Sequence, residues 1–148
     1  MTYLEKITYL TGNFIQLAQF TLKNAFRFVS LLENKSRETA YTEQSDASYI
    51  MAENEAKDLI VTYTFRGSEQ ILAFLKDKGL SVKDYEALSF VLKKRDYVVS
   101  AFYLDNANQI ATEEIAVYVS KINELQGYCD KAIALNKRLA EECDRLYR

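Results

Sequence analysis

Apolar residues recur along this chain at the three- and four-residue spacing of helices, almost from end to end. The first stripe opens at Thr2-Tyr3-Leu4-Glu5, a T-x-x-E box in which each side chain satisfies the other residue's free amide. Leu4, Ile7, Phe14, Leu17, Ala18, Ala25, Phe28 and Leu32 then hold one face, which predicts a helix over 2–34 with Gly12 on its outer side. From Asn34 to Ser48 the chain turns polar and reads as a loop.

A second helix is predicted over 46–78, with Tyr49, Ala52, Ala56, Leu59, Tyr63 and Phe74 on one face. Gly67 falls on that face. The expectation is a close approach of a neighbouring helix there, with a break or hinge as the rival reading. Lys78-Gly79-Leu80-Ser81 is the best-marked boundary: Gly79 suits a left-handed terminator, and Ser81 caps the next helix with Asp84 three residues on. Helices two and three are therefore expected to be antiparallel neighbours. The third helix, over 81–104, points Tyr85, Leu88, Leu92, Val99 and Phe102 inward.

Asp105-Asn106-Ala107-Asn108-Gln109 reads as a turn. It is no calcium loop, because Ile110 stands where glycine is needed and Ala116 where the bidentate glutamate belongs. The fourth helix, over 112–147, starts with Glu113 and Glu114 at the positive end of the dipole. Its seam repeats every seven residues: Ile115, Ile122, Cys129, Asn136, Cys143 on one line and Tyr118, Leu125, Ala132, Leu139, Leu146 on the other. Such a period implies near-parallel, coiled-coil-like packing. Asn136, the polar seam residue, either fixes register or marks a wet end. The fold expected is all-α: a single domain over 1–148, an antiparallel four-helix bundle with long helices.

Composition narrows the function classes. The chain has 148 residues, no proline and no histidine, so long helices are unopposed and the commonest base and metal ligand is missing. Without histidine there is no Ser-His-Asp or Cys-His arrangement and no di-iron bundle site. The glycines stand alone at 12, 67, 79 and 127, so no phosphate loop is formed. The carboxylate pairs Glu53/Glu55, Glu113/Glu114 and Glu141/Glu142 point to different faces. No catalytic residue, cofactor, metal or small-molecule substrate is expected.

Cys129 and Cys143 lie fourteen residues apart on one helix, about 21 Å at about 1.5 Å per residue, so they are read as buried thiols in a reducing, cytoplasmic setting. Met1 to Lys6 shows no secretory pattern. With a formal net charge of -2, only Lys93-Lys94-Arg95 speaks for nucleic acid, and Asp96 follows it at once.

One feature points towards function. The first two helices carry a second apolar stripe: Ile15, Leu22, Phe26 and Val29 on one, Val61, Phe65, Leu72 and Leu75 on the other. These eight form a candidate protein interface. The competing explanations are that both helices are central, or that Phe14 to Leu32, with Lys23 and Arg27, lies on a membrane surface. The expected function is a non-enzymatic protein–protein interaction module (adaptor, inhibitor, immunity factor or assembly subunit) that binds a partner or forms a homo-oligomer. Peripheral membrane association is the alternative, and nucleic-acid binding ranks third.

Overall fold

The computed structural model describes residues 1–37, 45–111 and 114–147. These form helices α1 (Tyr3–Arg37), α2 (Ser45–Tyr63), α3 (Ser68–Leu75), α4 (Val82–Ser100), α5 (Phe102–Ala111) and α6 (Ile115–Tyr147), with no strand among the described residues. None of these helices is long and apolar enough to cross a membrane.

The T-x-x-E box forms as read: the Thr2 amide donates to Glu5 at 2.7 Å and the Glu5 amide donates to the Thr2 hydroxyl at 3.1 Å. The first helix runs three residues past Asn34, whose buried side chain donates to the Ser30 carbonyl and to Glu55. Of the rest of the expected loop, 45–48 belong to α2 and 38–44 lie outside the described residues, as do Thr112 and Glu113.

The largest correction concerns the second helix. It is two helices, α2 and α3, and the close-packing reading of Gly67 is wrong. A β-carbon on Gly67 would meet only Asp96 Oδ2, at 3.9 Å. Gly67 is instead the N-cap of α3, in extended backbone and with no capping side chain of its own. The cap comes from another helix: Asp96 accepts the Ser68 amide at 2.7 Å, and Arg95 donates to the Arg66 carbonyl at 2.9 Å. Turn groups that would otherwise lose water are thus satisfied by α4, which makes the break tolerable. The ring of Tyr63, the last residue of α2, lies 5.0 Å from that of Phe74 in α3, so the chain folds back after the turn.

That extra reversal changes the topology. Tyr3 stacks on Tyr118, Asn13 reaches Cys129, and Asn24 donates to Asn136, so α1 and α6 run in parallel. An antiparallel four-helix bundle would set its first and last helices in opposite directions. Opposite directions do hold for α4 against α6, where Asp84 pairs with Arg138 and Phe90 meets Tyr128, and for α3 against α4, as expected at this boundary.

The boundary itself is longer than its sequence suggested. Helix α3 ends at Leu75, Asp77 takes a left-handed conformation at φ 59° and Gly79 another positive φ at 110°. Ser81 caps α4 through the Asp84 amide at 3.1 Å.

The expected turn at 105–109 is also corrected, since it lies within α5. Asn106 is buried and donates to the Phe102 carbonyl at 2.7 Å and the Tyr97 hydroxyl at 3.1 Å, so its amide supports the helix. Near this break the phase of α4 shifts: Val98 is buried, whereas Val99, read as inward, is exposed.

The core centres on α1 and α6. Phe14, Ala18, Ala25 and Phe26 of α1 and Leu125, Cys129, Ala132 and Leu135 of α6 are all 0% exposed, as are Leu88, Leu92 and Phe102, and α1 packs most extensively on α6. Asn136 is half-buried and accepts from Asn24 across this seam.

Candidate functional site

The second apolar stripes do not form one surface. Leu22, Phe26, Val29, Leu72 and Leu75 are buried, and Ile15 is half-buried against the core. Phe26 is enclosed by the rings of Tyr63 and Phe74. These residues are therefore core, because α1 is central and uses a wide arc of its circumference. Val61 and Phe65 alone are exposed, at 79% and 97%, on the last turn of α2 and the turn that follows. The same burial takes Phe14, Phe26 and Phe28 from the proposed membrane face, and Arg27 pairs with Glu53.

The basic run is dispersed as well. Arg95 is buried, with its guanidinium committed to the Arg66 carbonyl, Asp96 and Gln19. The Lys94 ammonium lies over the rings of Phe90, Tyr97 and Tyr128, at 5.7, 5.7 and 5.2 Å. Two of the three cations that pointed to nucleic acid are thus held by packing. Burial would raise the Asp96 pKa, but the Ser68 amide and the Arg95 guanidinium outweigh it and hold the carboxyl below its usual value.

The thiols sit on the α6 seam. Burial pushes Cys143 up to about 11 and also raises Cys129, so both are protonated near neutral pH. Burial, then the neighbouring Glu124 carboxylate that accepts its hydroxyl, raises Tyr128 as well.

A cleft of about 950 Å³ lies beside the C-terminal half of α1. Its opposite wall is α2, where Glu55, Asp58, Leu59 and Thr62 recur at the spacing of one helical face. The α3–α4 turn closes one end, and Leu146 of α6 lies beneath. Leu32, Leu59, Phe74 and Leu146 line it while only partly buried, so apolar surface is available to an occupant. The turn approaches closely because Gly79 lacks a β-carbon, which would lie 2.2 Å from Leu32 Cδ2.

Charge surrounds this floor unevenly. Asp58 and Asp77 are exposed at the rim, and Glu55 accepts from Asn34. Of the cations, Lys78 holds its ammonium 5.1 Å above the Phe74 ring, and Lys35 lies on the α1 side.

Val29 alone of the eight predicted interface residues lines the cleft. Spacing alone places Leu32, Leu59 and Phe74 on core-facing stripes. The hydrophobic period says which way a side chain faces, but not whether a neighbour covers it. Among known proteins, no family model, no curated sequence and no solved structure matches this chain.

Proposed function

We propose that this helical bundle is a non-enzymatic protein-interaction module that binds a segment of another protein in the cleft between α1 and α2. The observation that carries this reading is the cleft itself, with half-exposed Leu32, Leu59 and Phe74 at its floor and ionised groups at its rim. Binding sites concentrate apolar floor and sparse polar rim in this way, because desolvating the floor supplies affinity and the rim sets orientation. The central position of α1 also fits: a rigid wall fixed by α6 faces a second wall, α2, that packs chiefly on α1. In this reading the adaptor, inhibitor, immunity-factor and assembly-subunit roles share one surface.

A photo-crosslinking amino acid tests it. Thr62→p-benzoylphenylalanine places the probe at the cleft on an exposed position, and Glu141→p-benzoylphenylalanine places it on the exposed side of α6. Irradiation in extract of the native host should give a discrete protein adduct at Thr62 and none at Glu141. Equal adducts at both positions, or none at Thr62, would overturn the proposal.

A further inference from the structure

The cleft also constrains the chemistry of its occupant. We infer that it takes an amphipathic helix whose apolar ridge is flanked by lysine or arginine, an inference that rests on the protein-binding reading above. Shape supports a helix: both long walls are helices, and a third laid between them meets the repeated face Glu55, Asp58, Leu59, Thr62 with its own i, i+3, i+4, i+7 ridge. Chemistry supports apolar anchors, since Leu32, Leu59 and Phe74 offer no hydrogen-bonding group to the occupant.

Charge decides the flanks. Asp58 stands exposed on the α2 wall and Asp77 at the closed end, so carboxylates lie at two separate places on the rim. Two cations, Lys35 and Lys78, also line the cleft, the second 5.1 Å from the Phe74 ring, but Glu33, Glu55, Asp58 and Asp77 outnumber them and leave the lining net acidic. An acidic helix, or the carboxylate of a fatty acid, would meet repulsion from Asp58 and Asp77. A cationic helix finds a partner at each place, and like-charge rejection then supplies specificity as well as attraction.

The test uses the full chain and three synthetic helical peptides of five turns, roughly 18 residues at 3.6 per turn. All carry the same leucine ridge, and their flanks are lysine, glutamine or glutamate. Fluorescence anisotropy at low salt should show the lysine peptide binding about tenfold tighter than the glutamine peptide, with the glutamate peptide weakest. The preference should shrink in about 1 M salt, where exposed charges are screened within about 3 Å. Asp58→Lys combined with Asp77→Asn should erase it without altering the melting temperature, because both positions are exposed and asparagine suits the left-handed backbone of residue 77.

Equal binding of the lysine and glutamine peptides, both blocked by the cleft-filling Thr62→Trp, would overturn the cationic assignment and leave the cleft as a protein site. Tighter binding of the glutamate peptide, or of laurate, would overturn it too. Peptide binding that Thr62→Trp leaves unchanged would remove the protein-binding reading itself.

Discussion

Helices α6 and α2 both lie along α1, and they do so in contrasting ways. On α6, Leu125, Cys129, Ala132, Leu135 and Leu139 are 1% exposed or less. On α2 the fully buried residues among those described are two alanines, Ala52 and Ala56. Large apolar side chains removed from water stabilise each contact by a few kcal/mol, whereas alanine contributes little beyond a close approach of backbones. The α1–α2 contact is supplemented by polar links, Arg27 to Glu53 and Asn34 to Glu55. One helix pair holds the fold together, and the other leaves apolar surface available. Dense burial lies along the α6 contact of α1, and half-exposed apolar surface lies along its α2 contact.

The contrast can be broken by matched truncations. Leu135→Ala on α6 should cost about 2–5 kcal/mol in chemical denaturation, as for other fully buried leucines. Leu59→Ala on α2 should cost about 1 kcal/mol, because its side chain is only half-buried. Equal costs would mean that α2 is as firmly seated as α6. Amide hydrogen exchange supplies a second measure: α2 should exchange well before α6.

Smaller effects sharpen the boundary between the two regions. Arg95→Met removes the donor to the Arg66 carbonyl and the partner of Asp96, and should cost about 1.5–3 kcal/mol while loosening α3. Gly79→Ala should cost about 1–3 kcal/mol, through its positive φ and the encounter with Leu32 at the closed end of the cleft.

Acid acts on the same clamp. The pKa of Asp96 is lowered in the folded chain, so the stability it contributes is fully present above its unfolded value, near 3.8, and is lost as pH falls through the lower folded value. Asp96→Asn should remove that part of the acid dependence, which a pH series of thermal melts would record. The smallest effect is expected at Phe65, which is 97% exposed: Phe65→Glu should change stability by no more than about 0.5 kcal/mol. A large loss there would show that the turn after α2 is covered in solution.

Much of the fold was legible in the sequence. The capping box at Thr2 and Glu5, the Ser81 cap and the α6 seam from Tyr118 onward depend on residues a few positions apart, so local spacing reveals them, whereas Ile115, read as the first seam residue, is 62% exposed. Gly67 shows the limit. Its own surroundings in the chain fit a continuous helix equally well, and the groups that satisfy the break come from Arg95 and Asp96, distant in sequence. Asn106 misled in the opposite direction, since its amide favours a turn in isolation but is satisfied here by Phe102 and Tyr97.

By itself the sequence determined that the chain is helical, where several helices begin, and which seam α6 turns towards its neighbour. These follow from the 3.6-residue period and from short-range hydrogen bonding. Only the tertiary structure decided that Phe26 is enclosed while Phe65 is bare, that α1 and α6 run in parallel, and that Leu32, Leu59 and Phe74 border an open cleft. Each of these depends on which distant side chains arrive to exclude water, and periodicity fixes the direction of a side chain without fixing what stands opposite it.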